Sequence, residues 1–194
     1  NVAGRVNIAS PTTPTTAAAA TPSSSSPDTR GRGEIVGSTR TDITVPSVSP
    51  DVDKKISECE SGGCLSIAST SPSFTTSGTY YKGSDWDINS DQHFDTSDGD
   101  IEIVVEGEVD IDDDISISGD NQVRFYAKGD VIMDGNPAVN TGGDPENLVV
   151  LVHSSADTVS DGGTPQFTGY IYAPYSEFQI RGNGRYSDNV VGGI

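Results

Sequence analysis

The sequence predicts an all-β protein: a parallel β-helix, or β-solenoid, of roughly 22-residue coils, preceded by an extended Ser/Thr/Pro-rich arm. Three observations predict it. First, residues 101–113 and 123–135 superpose without a gap at an offset of 22, placing Ile101 on Val123, Ile103 on Phe125, Val105 on Ala127, Gly107 on Gly129, Val109 on Val131 and Ile111 on Met133. Second, both lines alternate apolar and polar residues on either side of the glycine, the period-2 pattern of a strand with one buried face. Third, only 32% of the chain is hydrophobic while Gly contributes 22 of 194 residues. That composition suits short strands and tight corners, and no long helical face is visible. A strand–glycine–strand unit of this length is the size of one solenoid coil.

Residues 1–9 are a short mixed segment containing Val2, Val6 and Ile8. All eighteen residues of 10–27 are Ser, Thr, Pro or Ala, so nothing there can offset ordering entropy by burial. The tract reads as a stalk open to O-glycosylation, or as a plain linker. No Asn-x-Ser/Thr sequon occurs. Residues 42–46 form a strand-like run, and the domain boundary falls at about residue 50. Residues 51–60 have Val52, Ile56 and Cys59 at helical spacing. Residues 66–83 are expected to form a cap or first coil, 85–99 an acidic approach, and 100–135 the two matched coils. Residues 148–153 are a near-continuous apolar strand, and 157–165 a polar excursion.

The repeat then returns. Tyr172-Ala173 matches Tyr126-Ala127, Gly182-Asn183 matches Gly135-Asn136, and Phe178 and Ile180 take the slots of Val131 and Met133. Residues 186–194 begin a further strand. Four turns are traced, starting near residues 101, 123, 149 and 170. An antiparallel sandwich is the alternative topology.

Net charge is −18, and it is unevenly placed: residues 1–50 carry four Arg against three acids, so the excess falls on 51–194. No Lys or Arg occurs from 83 to 123. Such a surface repels nucleic acid and anionic membranes. In molar salt the Debye length shrinks to ~3 Å and the self-repulsion fades. Many acids with only four Lys suggest the surface of a protein from an extreme halophile; an ordinary acidic secreted domain is the alternative. The longest apolar run is five residues, 148–152, against the roughly 20 needed to span a bilayer. The chain starts at Asn1 rather than Met, so it is expected to be a processed or excised segment with any signal or membrane anchor outside it.

Three candidate sites follow from side-chain chemistry. Asp85, Asp87, Asn89 and Asp91 place oxygen ligands at positions 1, 3, 5 and 7 of a calcium loop. Ser90 stands where such a loop has Gly, and Thr96 where it has Glu. The competing reading is a strand with Asp outward and Trp86 and Ile88 inward. Cys59 and Cys64 flank two glycines in a loop short enough to close as a disulfide in an extracellular setting. The acidic run Asp110, Asp112, Asp113, Asp114 offers the carboxylates that glycoside hydrolysis requires, but it equally describes a solvated acidic face. His93 and His153, placed in an acidic loop and an apolar strand, have no nucleophile at a recognisable spacing. No catalytic set is assigned, and an enzyme acting on polysaccharide is the minor alternative.

The stretch Gly169-Tyr170-Ile171-Tyr172-Ala173-Pro174, then Gly182-Asn183-Gly184, then Val190-Val191-Gly192, resembles a secreted β-helical domain. That domain occurs in haloarchaeal cell-surface and pilin-like proteins, with relatives in bacterial pilus-associated proteins. The resemblance covers about residues 100–194. Where the family ends in an aromatic followed by Gly-Ala-Val/Ile-Val-Gly, this chain has Tyr186-Ser-Asp-Asn-Val-Val-Gly and lacks the first glycine. The resemblance implies an extracellular, envelope-attached or filament-forming role and carries over no catalytic residue. The expected function is therefore a subunit of a surface filament or pilus-like appendage, its partners copies of itself. A stalked adhesin is the alternative, gripping surface glycans or neighbouring cells through Tyr170, Tyr172, Tyr175 and Tyr186, which serve equally as core or interface aromatics. The arm, residues 1–50, is expected to pack on another copy.

Overall fold

A computed structural model of the chain describes residues 46–67, 74–180 and 190–193. The strand-like runs at 2–8 and 42–45, the tract 10–27, and Tyr186 lie outside these residues.

The described chain is a three-faced parallel solenoid. The first face stacks β1 (Leu65–Ser66), β2 (Gly78–Lys82), β5 (Ile101–Val105), β8 (Val123–Ala127), β11 (Leu148–Val152) and the C-terminal half of β13 (Gln166–Tyr172). The second stacks β3 (Trp86–Ile88), β6 (Val109–Ile111), β9 (Val131–Met133), β12 (Thr158–Asp161) and β14 (Glu177–Ile180). The third stacks β4 (Gln92–Asp95), β7 (Ile115–Ser118), β10 (Ala138–Val139), the N-terminal half of β13 and β15 (Val190–Gly193). Every strand pair is parallel, which excludes the antiparallel sandwich.

The 22-residue offset is the physical register. Ile101 pairs with Val123, Ile103 with Phe125 and Val105 with Ala127; one corner later Val109 pairs with Val131 and Ile111 with Met133. Phe178 and Ile180 continue the rows of Val131 and Met133 through β12. Inward rows form one core that includes Trp86, Phe94, Phe125, Val150 and Phe167. Each such side chain contributes about 1.5–3 kcal/mol on burial.

The structure corrects three readings. Residues 78–95 already form a complete coil: the acidic approach contains β3, with Trp86 and Ile88 inward as the strand reading had them, and β4, with Phe94 buried. The polar excursion contains β12, held in place by Val159 inside and by backbone pairing to both β9 and β14. His93, expected in a loop, lies on β4.

The matched glycines are required by close approach. A Cβ on Gly129 would lie 2.6 Å from the carbonyl carbon and oxygen of Gly107, and one on Gly107 would lie 2.4 Å from the Asp85 nitrogen. Only glycine lets successive corners stack this tightly.

The helical spacing at 51–60 corresponds to α1 (Ser49–Glu58), with Pro50 in its first turn. Val52, Ile56 and Cys59 pack on the outward row Val104, Tyr126, with Tyr81 and Leu151 beside them. This explains why 148–152 reads as a nearly continuous apolar run: its strand is covered on both sides. At 1.5 Å per residue α1 is about 15 Å long, or about three strand spacings of ~4.8 Å. It starts at Ser154 beyond β11, where the two serine hydroxyls are 2.8 Å apart, and ends near β2. It thus runs against the direction in which the coils advance.

Gly129→Ala is expected to cost about 1–3 kcal/mol through overpacking at the corner. Urea denaturation checks this, and an unchanged midpoint would contradict the stacked corner.

Candidate functional site

Two polar clusters lie on the outer surface. The first fastens α1. Lys55 Nζ donates to Glu102 Oε2 at 2.6 Å, Thr79 donates to the same oxygen at 2.7 Å, and the Tyr126 hydroxyl reaches Glu102 Oε1 at 3.3 Å. Lys55 also lies 5.6 Å from the Tyr126 ring centroid. Burial alone raises the Glu102 pKa, but the hydrogen bonds from Lys55 and Thr79 and the Lys55 charge outweigh it, so the carboxyl sits below its ordinary value. Burial and the Glu102 charge push Tyr126 up to about 12. Asp53 and His153 make a further contact at 3.4 Å beside the helix. Below the helix, Cys59 and Cys64 form a disulfide. Gly62, at φ 91°, turns the loop between them.

The second cluster is the acidic second face. Asp87 and Asp110 are neighbours across β3 and β6, and Ile132 follows on β9. Burial first, then the charges of Asp112, Asp134, Glu108 and Asp87, push the Asp110 carboxyl up to about 6. Its Oδ1 has no hydrogen-bond partner. Glu108 is raised by burial and by Asp130, Asp85 and Asp87.

The calcium loop is not assembled. Asp85 Oδ1 accepts the Glu108 backbone N–H at 2.9 Å. Asp87 faces outward on β3 between buried Trp86 and Ile88, and Asn89 and Asp91 are exposed at the following corner. The extended backbone sets Asp85 and Asp87 about 6.6 Å apart along one exposed side, and Asn89 and Asp91 fall beyond the end of β3 at Ile88. No group of three or more His, Cys, Asp or Glu is placed to hold a metal among the described residues.

The acidic run is likewise dispersed around a corner. Asp110 lies on β6, Asp112 and Asp114 are exposed, and Asp114 Oδ1 caps the Ala138 N–H at 2.7 Å. His93 bridges two serines of the next strand, Nδ1 to Ser116 Oγ at 2.9 Å and Nε2 to Ser118 Oγ at 3.1 Å. Of the tyrosines, Tyr170 is 40% exposed, Tyr172 donates to the Pro46 carbonyl at 2.6 Å, and Tyr175 is half-buried.

What the sequence reading missed is the first edge of the solenoid. Leu65 sits on β1 in the inward row of Tyr80, Ile103 and Phe125, yet it is 52% exposed. Among the described residues no strand pairs with the outer side of β1 or of β3. The signal was present as a lone Leu between Cys64 and Ser66, without an alternating run around it.

These features define an acidic parallel β-solenoid domain with one helix strapped across it. Residues 31–194 match a family described as a domain of unknown function (DUF7305), and the chain belongs to that family. Comparison with curated proteins and with solved structures returned no match.

Asp110 yields a pH test. Its folded pKa lies above the ordinary value of 3.8, so its ionisation opposes folding, and that penalty is relieved as pH falls from above 6 towards 4. Asp110→Asn is therefore expected to raise the melting temperature at pH 7.5 and to give no gain at pH 4. A variant that melts lower than the parent at pH 7.5 would contradict the assignment.

Proposed function

We propose that the chain is a structural subunit of an extracellular filament or pilus-like surface appendage, built to work in saline surroundings. One observation carries the reading. The segment before α1 leaves the solenoid at its C-terminal coils, where Tyr172 holds Pro46, while the unpaired first edge, β1, lies at the opposite end. Unpaired strand edges invite another strand. A unit that donates a segment from one end to a strand edge at the other makes heterologous contacts, which run on into open filaments when the rotation does not close.

The same placement modifies the expectation for the arm. Residues 46–50 belong to their own domain: Pro46 is bound by Tyr172 and Ser49 by Ser154. Only residues 1–45 remain for another copy. The disulfide supports an oxidising, extracellular setting. The acidic second face supports high salt, where its mutual repulsion is screened. No helix among the described residues is long and apolar enough to cross a membrane. The adhesin reading has less behind it, because Tyr172 is engaged with the chain itself.

Electron microscopy of the purified chain in molar KCl is expected to show filaments, with the β signal in circular dichroism declining as salt is removed. Monodisperse particles at every salt concentration would overturn the proposal.

A further inference from the structure

We infer that residues 42–45 of one copy add as a strand to the β1 edge of the next copy, covering Leu65. This rests on the filament reading above and names its joint.

The acceptor is defined by the fold. Leu65 pairs in register with Tyr80, and the row continues through Ile103, Phe125, Val150 and Ile171. Every residue of that row from Ile103 to Ile171 is buried, whereas Leu65 is 52% exposed. The outer N–H and C=O groups of β1 have no strand partner among the described residues. The row is thus one strand short at this end. A strand with apolar residues at alternate positions would complete both the hydrogen bonding and the row.

The donor is defined by sequence and distance. Residues 42–45 read Asp-Ile-Thr-Val, so Ile43 and Val45 point to one side of an extended strand and Asp42 and Thr44 to the other. Either apolar residue suits the place above Leu65. The run adjoins Pro46, which Tyr172 holds at β13. Fully extended, four residues span about 14 Å. From β13 to β1 of the same solenoid the sheet order crosses β11, β8, β5 and β2, five spacings or about 24 Å. The run cannot reach its own first edge. It reaches the β1 of a copy placed beyond its C-terminal coils, so strand addition by this segment is necessarily between copies and head to tail.

Charge favours the same arrangement. Arg40 sits just before the donor run, and Glu58 and Glu60 lie on the helix end and loop that precede β1. In the joint the arginine of one copy comes towards the acids of the next.

The test uses the full-length chain with Ile43→Cys/Leu65→Cys and Val45→Cys/Leu65→Cys, oxidised in molar KCl, since a disulfide needs Cα atoms within about 7 Å. A ladder of covalent oligomers on a non-reducing gel is expected from at least one pair and from neither single variant of that pair. Leu65→Arg, at an already half-exposed position, should keep the parent circular dichroism and raise the concentration for half-assembly by about tenfold or more, the factor that burial of one Leu side chain supplies. Filaments that form while neither pair links would overturn this joint and leave the filament reading standing. So would bridged monomers, which would mean that the arm returns to its own edge, or dimers of single variants, which would mean a symmetric contact. A chain that stays monomeric in sedimentation would overturn both.

Discussion

Vertical register is the constraint on which the rest depends. Each inward side chain is buried by the residue one coil above and one coil below, as Phe125 is by Ile103 and Val150. A slip of one residue would turn a whole row outward. The register therefore has to survive every corner, and the corners show how. Gly129 stacks directly on Gly107, with no room for a side chain between them. Where the chain lengthens, it does so between faces: the loop after β10 carries residues 140–147, and its short helical turn Pro145–Asn147 is capped by Asp144 before β11 resumes the rows.

The acids are distributed by the same rule. Strand alternation sends them outward, where the register sets some of them side by side across coils. Asp87 beside Asp110 is the consequence. The core tolerates this because each buried aliphatic or aromatic side chain is worth about 1.5–3 kcal/mol, while screened surface repulsion is smaller per residue. The first face escapes the pattern. One of its outward rows is Tyr81, Val104, Tyr126 and Leu151, which α1 covers, and Glu102 in the row beside it clamps the helix through Lys55.

Much of this was legible in the sequence where a period was kept. The offset of 22 and the slots of Phe178 and Ile180 reappear as strand pairs, and the matched glycines as stacked corners. Residues 78–95 were harder: the alternation of Asp with Trp86 and Ile88 was visible and is borne out on β3, but the complete coil to which it belongs was not. β12 has one buried apolar residue, Val159, and backbone pairing to its neighbours does the rest, which no side-chain pattern reports. The oxygen-ligand spacing at Asp85–Asp91 was misleading for a related reason: the same every-other-residue period describes a calcium loop and the exposed side of a strand. The direction of α1 was invisible, because it is fixed by contacts with Ser154, Glu102 and Tyr126, all distant in sequence. That direction is what sets Pro46 at one end of the described solenoid and the β1 edge at the other.

If copies join by strand addition at β1, the solenoid axis lies along the filament and its strands lie across it. X-ray diffraction from oriented filaments in molar salt then gives a meridional reflection at about 4.8 Å, the spacing of neighbouring strands. Filaments whose 4.8 Å reflection falls on the equator would contradict the account.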